Sequence, residues 1–166
     1  MMPAPNAVDL IRQTLQPAKG QAWHGGPTPV GAVRGVPAAM ARWSPNGGRS
    51  SIWRLTLHIA YWKYTIRRHL EAGRIPRFPR SPANFPALPA DPTEQAWRHD
   101  RQLLAAEHEA LLASLARLDP RVLHRRPPKA TRWTWGEMAA GILAHDAYHT
   151  GQIQLLKRLY TDRPGR

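Results

Sequence analysis

The sequence predicts an all-α protein, a four-helix bundle with a long irregular crossover loop. Three observations carry this. Apolar residues recur at spacings of three and four in the long segments, strong helix start signals stand before them, and no segment alternates apolar and polar residues as a strand does. A chain of 166 residues suits one hydrophobic core, so a single domain over 1–166 is expected.

The elements follow in order. Val8, Leu10, Ile11 and Leu15 mark a short first helix within residues 6–18, interrupted by Pro17 and Gly20. Ala22 to Pro29 reads as a turn; Val30, Val33, Val36 and Met40 then share one face of a second helical piece that Pro37 should break. After the turn signal Ser44-Pro45-Asn46-Gly47-Gly48, Ser50 or Ser51 offers an N-cap for a helix running to about Ala72, with Gly73 as its stop. On that helix Ile52, Leu55, Ile59, Trp62, Ile66 and Leu70 form an amphipathic stripe that includes His58. Residues 74–90 hold five prolines and no regular apolar period, which predicts the crossover loop. Asp91-Pro92-Thr93-Glu94 supplies a cap, a proline at the first helical position and an acid at the third. The helix that follows carries Trp97, Leu104, Leu111, Leu115 and Leu118 and closes at Asp119-Pro120. The loop from His124 to Arg132 leads to Thr134-Trp135-Gly136-Glu137, a capping box, and to a last helix reaching about Tyr160. The inner face of that helix reads Met138, Ile142, His145, His149, Ile153 and Leu156.

Composition narrows the chemistry. With no cysteine, disulfides, thiolate metal sites and a cysteine nucleophile are excluded, leaving His, Asp and Glu as the strong metal ligands. The net charge of +13 favours polyanions in general, but the arginines are scattered and the densest pairs, Arg67-Arg68 and Arg125-Arg126, are short. A solvated basic surface is therefore expected over a nucleic-acid site. No segment reads as a signal peptide or membrane span, and a cytoplasmic location is expected.

His145 and His149 are four apart and project beside one point of their helix. The spacing alone is weak, because eight histidines produce such pairs readily by chance. Their apolar surroundings add weight, since a buried imidazole needs a partner for each nitrogen. His58, on the apolar face of another long helix, is the candidate third member. Two readings stand at this point: a metal ion on His58, His145 and His149, or core histidines with ordinary hydrogen bonds. His69 lies three turns beyond His58 and is a weaker candidate; His24 sits in a loop that can fold over the site but reads as a turn residue. His99, His108 and His124 read as exposed. Asp146 and Glu137 are the nearest acids; they are expected to orient a histidine at most, not to ligate. Three imidazoles suit Zn²⁺, Ni²⁺ or Fe²⁺ and leave coordination positions open for water or substrate.

In this order the motifs resemble the DinB/YfiT-like superfamily of metal-dependent proteins over nearly the whole chain. The resemblance rests on Ser51-Ile52-Trp53 leading into Leu57-His58-Ile59-Ala60-Tyr61-Trp62, on Thr134-Trp135-Gly136-Glu137, and on His145 through Ile153 with its Gly151-Gln152 pair. It implies a four-helix bundle, metal ligation by His58, His145 and His149, and frequent homodimers. Members with known activity include transferases joining low-molecular-weight thiols such as bacillithiol or mycothiol to electrophiles, a thiol-dependent isomerase, and proteins that look like hydrolases.

The expected function is that of a metal-dependent enzyme in which the ion activates water or a low-molecular-weight thiol for S-transfer or hydrolysis of a small molecule. Arg54, Arg67 and Arg68 are candidates to receive a thiol cosubstrate's carboxylates, and the crossover should line or cover the cavity. Tyr61 and Tyr148 stand within a turn of the histidines, with packing as their expected role. The alternative is a metal-containing stress-response or nucleic-acid-associated binding protein without turnover. A dimer using Trp43, Trp53 and Trp133 is compatible with either.

Overall fold

The computed structural model describes residues 6–22, 25–48, 50–71, 74–128 and 132–163. Among them are helices α1 (Ala7–Leu15), α2 (Pro29–Ala32), α3 (Ala38–Arg42), α4 (Ile52–Leu70), α5 (Glu94–Ala116) and α6 (Trp135–Thr161), and no strand. Three long helices and a broken N-terminal region make an all-helical bundle. His24 and Gly73 lie outside the described residues.

Each start has a visible cause. Asn6 caps α1 and Thr134 caps α6 through full capping boxes, with Asp9 and Glu137 reaching back to the cap backbone. Ser51, not Ser50, caps α4 by accepting from the Arg54 N–H. Pro37 separates α2 from α3 and stands at the α3 N-cap, as its ring and missing donor require. The start of α5 differs from the sequence expectation. Thr93, rather than Asp91, is the cap, accepting from the Ala96 N–H at 3.2 Å. Asp91 and Pro92 form the preceding turn, and Glu94 looks outward to accept the Ala38 N–H at 2.6 Å, tying α5 to the start of α3.

The contacts give the relative directions. Rising through α4, Trp53 meets Asp100, Arg67 meets Glu107 and Glu71 meets Ser114, so α4 and α5 run parallel. Against α6, Ile52 and Leu57 cluster with Ile153 and Leu156, His58 meets His145, and Ile66 clusters with Met138 and Ile142, so α6 is antiparallel to α4. The parallel pair explains the crossover. At 1.5 Å per residue α4 is about 28 Å long, and the chain must return that distance before α5 can start.

Two apolar clusters hold the bundle. One joins Ile52, Trp53, Leu57 and Ile59 of α4 to Trp97, Leu104, Ile153 and the α2–α3 region. The other joins Val8, Leu15, Ile66, Leu111, Leu115, Met138 and Ile142. Between them, at the level where α4 carries residues 58–63, lies a buried polar layer containing His58, Lys63, Glu107, His108, Asp146 and His149. The buried indoles are satisfied, Trp53 donating to Asp100 Oδ2 at 2.8 Å and Trp97 to the Val36 carbonyl at 2.6 Å. Trp53 is fully buried and unavailable to a dimer surface, whereas Trp133 remains exposed. No helix among the described residues is long and apolar enough to cross a membrane.

Candidate metal centre

α4 places His58 on the side facing α6, and the i, i+4 spacing of α6 stacks His145 and His149 opposite it. One ring nitrogen from each of the three falls within 4.8 Å of the others. The ring centroids are 4.9 Å apart for His58 and His145, 4.7 Å for His58 and His149, and 4.4 Å for His145 and His149.

Hydrogen bonds on the far side of two rings decide what they offer. His58 Nδ1 lies 2.6 Å from the main-chain oxygen of Asn84. A carbonyl only accepts, so the ring proton sits on Nδ1 and the Nε2 lone pair is left facing the other histidines. His149 Nδ1 stands 2.6 Å from Gln152 Oε1, which fixes the same tautomer. His58 Nε2 and His145 Nε2 are 3.1 Å apart. Two imidazole ligands at tetrahedral angles and 2.0–2.1 Å from one ion would have nitrogens about 3.3 Å apart, so the spacing fits a shared divalent ion. Burial pulls the imidazole of His145 down to about 3, with further help from His149, His58 and Lys63. His58 is also lowered, chiefly by burial and against the pull of the Asn84 carbonyl. Both therefore stay neutral near pH 7, the form a metal needs.

The crossover covers this cluster, as the sequence reading anticipated. Phe85 stacks on His58 with centroids 4.0 Å apart and planes 8° apart, and Asn84 Oδ1 accepts the Trp62 indole N–H at 2.9 Å. Asn84 has a φ of 72°, a left-handed conformation that asparagine tolerates, and with it one residue serves both rings. Arg80 anchors the same loop to buried Asp100.

Other expected residues fall elsewhere. His69 is not part of the cluster, and Arg67 grips Glu107 through two 2.9 Å bonds on the α5 side of α4. His99 and His124 are exposed, but His108 is buried, its Nε2 2.7 Å from Gln16 Oε1. The exposure expected for it from sequence fails because the end of α1 covers that side of α5. Lys63, whose type suits the basic surface expected from composition, is instead fully buried and donates to Asp146 Oδ2 at 2.5 Å. Burial raises the Asp146 carboxyl while Lys63 opposes that shift, so Asp146 is a partner of lysine behind the histidines rather than a fourth ligand. Glu137 caps its own helix. Tyr148 is largely exposed with its ring 4.9 Å from His149, while Tyr61 packs on Trp62, Tyr64 and Phe78. Sequence reasoning had quoted Gln152 in a motif without giving it a task, and had not singled out Asn84 or Phe85. Their distance from the histidine helix in sequence leaves no local signal for the latter two.

No curated protein and no solved structure matches the chain. The sequence profile of the DinB superfamily matches residues 30–153, a span from within α2 through most of α6 that holds all three histidines. With that match over well more than half its length, the chain belongs to the DinB superfamily.

Proposed function

We propose that His58, His145 and His149 hold one divalent metal ion and that the chain is a metal-dependent enzyme acting on a small molecule, of the hydrolase or thiol S-transferase type. The supporting observation is the pair of fixed tautomers: the Asn84 carbonyl and Gln152 each engage an Nδ1 proton, the freed Nε2 of His58 faces that of His145, and a ring nitrogen of each histidine lies within 4.8 Å of the others. Orientation of this kind is what ligand histidines require. Once bound, an ion on three neutral imidazoles keeps open positions and makes a bound water or thiol nucleophilic near neutral pH.

The chain's own residues supply the rest. Phe85 and Trp62 wall the histidines and exclude water from one side, and the crossover that carries Phe85 sets access. Lys63 neutralises Asp146 behind His145, so the site presents no net carboxylate charge of its own. The thiol-dependent activities of some relatives support the transferase form, and a homodimer accords with the same family.

Metal content measured by mass spectrometry on untagged protein tests this reading. About one Zn, Ni or Fe per chain is expected, lost in His58→Ala and in His145→Ala. Absence of bound metal together with no uptake of added Zn²⁺ or Ni²⁺ would refute the centre. Metal without turnover of any ester or thiol–electrophile pair would favour the binding-protein alternative.

A further inference from the structure

One cavity adjoins the histidines. It has a volume of about 510 Å³ and is lined by Trp62, Ile66, Trp133, Met138, Ile142 and His145, among others, so that a triad member forms part of its wall. Among the described residues no lysine or arginine lines it. Its one charged lining group, Glu137, is already engaged, accepting from the Thr134 N–H at 2.7 Å and the Thr134 hydroxyl at 2.9 Å. Arg132 stacks on the Trp133 indole, 4.3 Å from the ring centroid, instead of reaching into the lining. The arginines expected to meet an anionic cosubstrate are absent from this wall, and Arg67 is spent on Glu107.

We infer that this cavity is the substrate's specificity site and that it receives an uncharged apolar or aromatic group, whose neighbouring reactive bond then lies at the His145 edge. The inference rests on the proposed metal centre and adds the class of substrate. A carboxylate or phosphate placed there would meet mainly indole, thioether and aliphatic surface, with no lysine or arginine among the described lining residues. An aromatic or branched aliphatic group gains contact with the Trp62, Ile66, Met138 and Ile142 side chains. Anionic portions of a thiol cosubstrate must therefore sit outside this cavity.

Gly141 makes the inference testable without touching the histidines. It lies in the wall, on an ordinary helical turn, and a Cβ added there meets nothing within 4 Å. Gly141→Leu should therefore fill the cavity while raising helix propensity. The probes are N-phenyl-1-naphthylamine, which is neutral, and its sulfonate analogue 1-anilinonaphthalene-8-sulfonate, followed by fluorescence. The neutral dye should bind the full chain saturably, the sulfonate at least about tenfold more weakly, and Gly141→Leu should weaken the neutral dye by at least about tenfold. The variant's metal content and melting temperature should not fall. Equal affinity in variant and wild type, or sulfonate binding as tight as that of the neutral dye, would overturn the inference. So would affinity that falls as protein concentration rises, because a second copy would then be the occupant. Metal content of the same samples separates the two failures: dye binding without metal uptake removes the metal centre, and metal without dye binding removes the apolar site.

Discussion

Helix α4 has two seams, and they are built on opposite principles. Towards α5 the polar groups are paired, with His108 Nδ1 the exception: Trp53 and Arg80 share Asp100, Arg67 and Glu107 form two parallel bonds, and Glu71 takes Ser114 and Arg117. Towards α6 the polar groups converge but stay open. Nε2 atoms of His58 and His145 face each other, and His145 Nδ1, Asp146 Oδ1 and Thr150 Oγ1 are buried without a partner among the described residues. Unpaired buried groups cost stability, so they persist where something outside the chain completes them. The first seam is scaffold, and the second is the place for a ligand.

The sharpest way to break this contrast is at Trp53. Trp53→Ala removes a fully buried indole and takes from Asp100 Oδ2 its indole donor, leaving only Arg80 on that carboxylate, and should cost about 3–5 kcal/mol in denaturant unfolding. Metal per folded chain should stay unchanged. If the metal is lost while the fold survives, the seams are not separable.

Acid probes the layer between the clusters. Burial, aided by Lys63, pulls His108 down to about 4 from an ordinary 6.5, so the fold prefers its neutral form. That preference contributes fully above pH 6.5, and it is lost as the pH falls from there through about 4. Its full extent is about 3 kcal/mol. His108→Gln keeps a donor for Gln16, and should flatten the fall of stability between neutral and acid pH. An unchanged pH profile would show that other groups dominate.

The smallest effect sharpens the second seam. Gln152→Ala frees the His149 ring, and should weaken metal affinity by about 10–100-fold with little change in melting of the metal-free protein. Competition against a chelator reads the first quantity and calorimetry the second. A stability loss with unchanged affinity would make Gln152 a packing residue.

The sequence exposed the helices and the three histidines because both leave local marks: the apolar period, Thr134 with Glu137, and the four-residue interval between His145 and His149. It hid what depends on α4 being central. A stripe predicts one buried face, but α4 is covered by α5 on one side and α6 on the other, so Lys63 vanishes from the surface although its type favours it, and on α5 the end of α1 likewise closes over His108. Lys63 finds its carboxylate 83 residues away, a pairing that no window along the chain contains. The α5 start slipped from Asp91 to Thr93 for a similar reason, since Glu94 is recruited by Ala38 of a distant element.

The group that sets the tautomer of His58 belongs to the main chain of Asn84, not to a side chain. Every residue has a carbonyl, so the crossover can exchange its side chains for others without releasing the histidine, provided position 84 still accepts a φ of 72°. Phe85 and its neighbours are then free to drift towards new substrates under a constant metal-binding geometry. Selection for a new reaction would act first on this loop and last on the two helices beneath it.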